Sequence, residues 1–113
     1  MRIHPPDHPA TLTAIVVADA LYGDSGKGRV VAHNVKRHGA HTVVKYTGGA
    51  QCAHHLVHED GRSHTFAQFG ASTLHGARTH IGRHFLLNPL NMGKEAGRLA
   101  AIGINNPMSL VTI

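Results

Sequence analysis

The stretch Gly23-Asp24-Ser25-Gly26-Lys27-Gly28 decides the fold, because it places three glycines within six residues, between a strand-like and a helix-like pattern. Before it, residues 12–18 form an almost unbroken apolar run rich in β-branched side chains, which is typical of a buried parallel strand. After it, apolar residues recur at nearly helical spacing from Lys27 to His38, and Gly39 supplies a helix stop. His41–Tyr46 forms a second strand pattern. The sequence therefore predicts a right-handed βαβ unit with parallel strands.

A hairpin is predicted next along the chain. His55–Val57 and Ser63–Gln68 are extended runs, and they flank Asp60-Gly61, a dipeptide that favours tight turns between strands. Residues 70–82 are then expected to form a long loop, and Phe85–Leu87 a short apolar strand.

One more helix and one more strand complete the prediction. Asn88 and Pro89 are a favourable N-cap and first-turn pair, so a helix is expected from Pro89 to about Ile102, stopped by Gly103. Met108–Ile113 forms an apolar strand pattern. No crossover follows it, and we therefore expect the sheet to continue in a longer protein.

Length and composition restrict the class of protein. The 113 residues hold one domain at most, and 42% hydrophobic residues suffice for a core. Residues 1–10 are expected to be a flexible leader, because their three prolines block regular structure, and residues 11–113 to form the folded unit. The single cysteine, Cys52, excludes an internal disulfide framework, and the apolar runs are too short to cross a membrane. A cytoplasmic location is the default expectation.

Charge favours a small anionic partner. The net charge is +5 with histidines neutral, which points to nucleotides or phosphates. Nucleic acid is not expected, because the basic residues are scattered and aromatics for base stacking make up only 4%. The twelve histidines are spread along the chain, and the closest set is His54, His55 and His58 near Cys52. A metal site there is the less favoured interpretation, and a solvated or purely compositional role is the more favoured one.

The glycine-rich stretch is itself a candidate site. A glycine loop between a strand and a helix presents backbone N–H groups that can bind a phosphate, aided by the helix dipole. Lys27 adds a positive charge, and Asp24 could take a proton or hold Mg²⁺. It is not a Walker A loop, because Leu21 stands where the first glycine is needed and Gly28 follows the lysine. A plain tight turn is the alternative.

Two motifs at matching separation resemble the adenylosuccinate synthetase family. Residues 15–31, with Gly-Asp-Ser-Gly-Lys-Gly-Arg, are similar to its N-terminal signature Gly-Asp-Glu-Gly-Lys-Gly-Lys. Residues 43–54, Val-Val-Lys-Tyr-Thr-Gly-Gly-Ala-Gln-Cys-Ala-His, are similar to its Val-Val-Arg-Tyr-Gln-Gly-Gly-Asn-Asn-Ala-Gly-His. The resemblance extends from Leu12 to Ile113 and corresponds to the N-terminal part of a longer chain. It implies an α/β fold of P-loop-like NTPase type, three-layered, with a mostly parallel sheet.

The resemblance also implies a reaction and a set of roles. The family joins L-aspartate to IMP with GTP and Mg²⁺, through an intermediate phosphorylated on the 6-oxygen. By position, Asp24 would be the base and a Mg²⁺ ligand, His54 the acid at the transferring phosphoryl group, and the Ala53 carbonyl a second metal ligand. The remaining positions would bind nucleotide: Gly23, Asp24, Ser25, Gly26, Lys27, Gly28 and Arg29 around GTP phosphates, and Gln51, Cys52, Ala53, His54 and His55 beside the purine nucleotide.

Several positions depart from the family pattern. Ser25 replaces a glutamate, Asp19 and Ala53 replace glycines, and Gln51 replaces an asparagine. Such changes resemble phage-type relatives that convert a guanine nucleotide, dGMP, to 2-aminoadenylosuccinate. We expect the chain alone to be inactive. The resemblance suggests that it assembles as a homodimer or with a complementary C-terminal chain. A non-catalytic nucleotide-binding module is the alternative.

Overall fold

The protein is seen in a computed structural model that describes residues 13–46, 48–49 and 52–113. The expected leader, Leu12 and Gln51 lie outside these residues. The described helices are α1 (Lys27–His38) and α2 (Pro89–Ala101). The strands are β1 (Thr42–Lys45), β2 (His54–Val57), β3 (Ser63–Phe66), β4 (Arg78–Ile81) and β5 (Val111–Thr112), with short 3-10 turns at Thr73–His75 and Pro107–Leu110.

The strands form two sheets. A three-stranded parallel sheet has the order β1-β4-β5, with Thr42 opposite Arg78 and Thr79 opposite Val111. The hairpin β2–β3 is antiparallel, with His54 opposite Phe66. The expected α/β class with a parallel sheet is therefore confirmed, and so is the hairpin around Asp60-Gly61.

Both helices begin and end where the sequence predicts. Gly39 ends α1 in the left-handed conformation, with φ of 64°. Asn88 caps α2, since its side chain accepts a hydrogen bond from the Asn91 amide at 3.1 Å. α2 buries Met92, Ala96 and Leu99, which are spaced for one helix face. Neither helix of the described part is long and apolar enough to cross a membrane.

The first predicted strand is wrong. Residues 13–18 form no ladder, and Val16 is 88% exposed. A strand is stabilised by its ladder partners and by burial of its side chains, and in this structure β1 pairs with β4 instead. The predicted βαβ unit is therefore not formed by the described residues 13–46, and the parallel crossover runs from β1 to β4.

Three predictions in the second half also need correction. The expected loop 70–82 contains β4. One of the two buried side chains of β4, Thr79, is polar and the other, Ile81, is apolar, so the sequence lacks the alternation of apolar and polar residues that is typical of a strand. The expected strand Phe85–Leu87 is irregular backbone that follows a turn closed by Phe85 N and the Gly82 carbonyl, and in it Phe85 is buried and Leu86 is 74% exposed. The first half of the expected strand 108–113 is a 3-10 turn, and β5 is only two residues long.

The core lies where α2, the hairpin and β4 meet. Phe66, Phe69 and Leu99 are completely buried. The cluster around them consists of Ala32, Leu56, Ala71, Leu74, Ile81, Phe85, Met92 and Ala96. This core holds β2 against α1, and thereby sets the distance between the glycine loop and the strand that carries His54.

Candidate functional site

The glycine loop leads into α1 through backbone conformations that favour glycine. Gly23 and Gly26 have φ of 85° and 84°, in the left-handed region. Gly26 is the residue before the helix, and its carbonyl accepts the first helical bonds from Arg29 N at 3.0 Å and Val30 N at 3.2 Å. No side chain forms a capping hydrogen bond at the N-terminus of α1. The positive end of the α1 dipole is thus available to an anion.

The Asp19 carboxylate accepts hydrogen bonds from several residues of the same loop. It accepts hydrogen bonds from the amides of Leu21 at 2.8 Å and Ser25 at 3.1 Å, and from the Ser25 hydroxyl at 2.5 Å. Lys27 Nζ lies 3.0 Å from Asp19 Oδ2 and donates a second bond to the Gly23 carbonyl at 2.8 Å. These bonds, led by that from the Ser25 hydroxyl, hold the pKa of Asp19 far below its usual value.

Gly28 brings the loop and His54 together. Gly28 is the buried second residue of α1, and a Cβ built on it would lie 2.5 Å from the His54 Cβ. The first turn of α1 therefore packs directly on the His54 side chain at the start of β2. This close approach requires glycine, and it joins two segments that are 26 residues apart (54 less 28).

His54 is half-buried in a positively charged environment. Burial is the main reason that its pKa is lowered from 6.5, and the cations of Lys45 and Lys27 lower the pKa further. Asp24 acts in the opposite direction. The imidazole is therefore neutral at pH 7, with one N–H available as a hydrogen-bond donor.

Asp24 is exposed, and its carboxylate forms no hydrogen bond with the described residues. Mg²⁺ is bound in proteins by one or two carboxylates together with phosphate oxygens and water. The exposed Asp24 carboxylate and the backbone carbonyl of the exposed Ala53 are hard oxygen donors, the kind of ligand that this ion prefers. They do not form a ready-made protein cage.

Other predicted site residues have different places. Cys52 N donates to the Gly49 carbonyl at 3.0 Å, and the Cys52 thiol packs on Gly48. His55 is exposed on the face of β2 opposite His54, and bonds the Thr65 hydroxyl at 2.9 Å, so it does not join His54. Arg29 is exposed, and lines a cavity of about 480 Å³ between α1 and the hairpin, with His33, Lys36 and His58. Asp19, Ser25 and Lys27 do not line this cavity, so Arg29 faces a different surface of the molecule from the hydrogen bonds of Asp19.

The histidine-rich metal site is not supported. Within the described ranges no group of three or more His, Cys, Asp or Glu side chains is arranged to hold a metal ion. The reason is the strand at β2, which directs the adjacent His54 and His55 to opposite faces. His58 instead contacts Asp60 at 3.0 Å and packs against the tilted His75 ring, with 4.9 Å between ring centroids.

Sequence reasoning missed a buried carboxylate that supports the site. Glu95 in α2 is 4% exposed, and accepts bonds from the amides of Ala67, Gln68 and Phe69 at 3.1, 2.7 and 3.3 Å. The Ala67 carbonyl in turn accepts a bond from Lys45 Nζ, the largest cationic influence on the pKa of His54. One sequence signal existed: Glu95 shares the spacing of Met92, Ala96 and Leu99 on the buried helix face.

Comparisons with known proteins show which family the sequence of this chain is similar to. A family model described as Adenylosuccinate synthetase matches residues 16–113. The chain is 35% identical over 95 residues to the adenylosuccinate synthetase of Symbiobacterium thermophilum, and 32% identical over 94 residues to that of Francisella tularensis subsp. novicida. It is 31% identical over 93 residues to adenylosuccinate synthetase 1 of Chromobacterium violaceum.

These matches cover most of this chain and a minor part of each relative. They include 82–83% of the chain, which spans 21% of the length of the relatives. The family model covers all of the loop, α1, the hairpin and α2. The chain therefore belongs to the adenylosuccinate synthetase family.

Proposed function

We propose that this chain supplies the phosphate-binding and phosphoryl-transfer portion of a GTP-dependent ligase that joins L-aspartate to IMP. Membership of the family supports a ligase. The observation that carries the assignment of the site is the contact of Gly28 with His54, which sets a neutral imidazole beside an anion-binding loop.

Each site residue has a separate role in the proposed reaction. The Lys27 ammonium and the backbone amides of Gly26–Gly28 bind phosphate oxygens of GTP, and Asp24 accepts the proton from the purine ring. His54 donates its N–H to the phosphoryl group that passes to the 6-oxygen, and aspartate then displaces the phosphate. Phosphoryl transfer depends mainly on alignment and charge neutralisation, which these groups offer. Mg²⁺, held by Asp24 and the Ala53 carbonyl, would neutralise charge on the phosphate oxygens.

We also propose that the 113 residues alone do not turn over, since the chain spans about a fifth of the length of its relatives. The first experiment incubates the chain with GTP, IMP, L-aspartate and Mg²⁺. No adenylosuccinate is expected. Robust turnover would contradict this part of the proposal.

A chimera tests the ligase assignment. Residues 16–113 replace the matching segment of the Symbiobacterium thermophilum synthetase, and product formation is measured with IMP and, separately, dGMP. We expect activity with IMP, loss of more than about a hundredfold with His54→Asn, and little change with His33→Asn, at an exposed position of α1. Preference for dGMP would instead identify a guanine-nucleotide ligase.

The second candidate is a nucleotide-binding module without catalysis. The observation that favours it is that Asp24, the proposed base, is exposed and has no hydrogen bond with the described residues to orient it. GTP binding that needs Lys27, combined with a well-folded chimera that has no activity, would support this candidate over the ligase.

A further inference from the structure

The carboxylate of Asp19 sits among the donors of the glycine loop. Two backbone amides, one hydroxyl and one ammonium group converge on it, from Leu21, Ser25 and Lys27. The Asp19 side chain is only 7% exposed, although residues 20–26 around it are exposed. The donors of the loop therefore already bind a negative group, the carboxylate of Asp19.

These donors are the types that bind a phosphate group. Phosphate sites in proteins combine backbone N–H groups, a hydroxyl and a lysine ammonium. Each hydrogen bond that involves a charged group is stronger than a neutral one, and a carboxylate and a phosphate oxygen accept them in the same way. Asp19 and a bound phosphate thus require the same side-chain donors on Ser25 and Lys27.

We propose that Asp19 sets the affinity of this loop for phosphate by competing with the nucleotide for Lys27 and Ser25. The inference rests on the proposed function, because it concerns the same loop, and the ligand class is a nucleoside triphosphate or pyrophosphate. Binding requires Lys27 to exchange its 3.0 Å contact with Asp19 for a phosphate oxygen. Asp19 then remains as a negative charge beside the ligand, which lowers affinity further.

Calorimetry with pyrophosphate on the full chain tests the proposal, with Asp19→Ala and Asp19→Asn as the variants. The matched control is Asp60→Asn, which removes the same charge in the hairpin turn, where Asp60 bonds Arg62. We expect pyrophosphate to bind the two Asp19 variants at least about tenfold more tightly than the parent chain. Asp60→Asn should stay within about twofold, and Lys27→Ala should abolish the gain when combined with Asp19→Ala.

Equal or weaker binding by the Asp19 variants, with the parent chain binding, would overturn the inference and leave the proposed function intact. Absence of pyrophosphate binding in every variant would reject both the inference and the phosphate loop of the proposed function. A gain in the Asp19 variants with an inactive chimera would reject the ligase alone.

A measurement on the parent chain covers the case in which the variants fail to fold. Carbon-detected NMR follows titration of the Asp19 carboxyl, whose pKa is held far below its usual value by the Ser25 hydroxyl, the Leu21 amide and Lys27. Saturating pyrophosphate should raise that pKa, because Lys27 and Ser25 turn to the ligand. An unchanged titration under saturation would contradict the proposal.

Discussion

Single residues determine how closely the glycine loop approaches the hairpin. Gly28 has no side chain, and the His54 Cβ occupies the space that a Cβ on Gly28 would need. The backbone amides at the start of α1 can therefore lie beside the imidazole, which a larger residue would prevent. The requirement is one of space rather than of backbone angle, since Gly28 has ordinary helical φ.

Gly28→Ala is expected to destabilise the protein and to displace His54. Overpacking at a buried site costs about 1–3 kcal/mol of unfolding free energy. The matched control is Gly93→Ala in α2, where nothing lies within 4 Å of the added Cβ and the helix should gain about 0.5–1 kcal/mol. Urea denaturation measures both. Equal effects of the two substitutions would contradict the close approach of α1 and β2.

At the scale of elements, the two helices and the hairpin could be predicted because their signals are local. Asn88 and Pro89 start α2, Gly39 ends α1, and Asp60-Gly61 forms the turn. Strand pairing could not be predicted, because a ladder joins residues that are distant in sequence. Residues 12–18 have the composition of a buried strand, yet the described part of that run has no ladder partner.

The same distinction applies to the candidate site. Gly23, Gly26 and Lys27 could be chosen from spacing alone, since they belong to one loop. The support from Lys45 and Glu95 could not, because it depends on α2 packing against residues 67–69. Asp19 departs from the family pattern in the sequence itself, but its bonds to Ser25 and Lys27 follow only from the fold of the loop.

Glu95→Gln is expected to loosen the loop at residues 67–69. An amide has one acceptor oxygen and turns an NH₂ group toward buried amide donors, so the loss is about 2–3 kcal/mol of unfolding free energy. The matched control is Glu59→Gln, the same change at a side chain 74% exposed, which should cost less than about 1 kcal/mol.

Hydrogen exchange locates the effect of Glu95→Gln. The amides of Gln68 and Phe69, which donate to Glu95, should lose protection, whereas the His58 amide, which donates to the Arg62 carbonyl in the hairpin, keeps its own. Uniform loss of protection over the molecule, or none at residues 67–69, would refute this role of the carboxylate.

For the whole molecule, the decisive property is the combination of positive charge with many histidines. The net charge is +5 with all twelve histidines neutral, so acidification adds further positive charge to a molecule that already repels itself. His54 and His75 are more resistant to protonation than free histidine, chiefly because burial lowers the pKa of each from 6.5. Nearby cations lower both values further: Lys45 and Lys27 at His54, His58 and Lys36 at His75.

Stability is therefore expected to fall as the pH is lowered from about 7 to 5. In that interval the unfolded chain takes up protons at His54 and His75 near the ordinary pKa of 6.5, while the folded chain, in which both pKa values are lowered, takes up fewer. The stability from these two residues is complete well above pH 6.5 and is lost on acidification toward their folded pKa values. Urea titrations at several pH values should show a shallower slope for His75→Gln than for the exposed-site control His33→Gln. Identical slopes for both variants and the parent chain would show that His75 titrates alike in the folded and unfolded states.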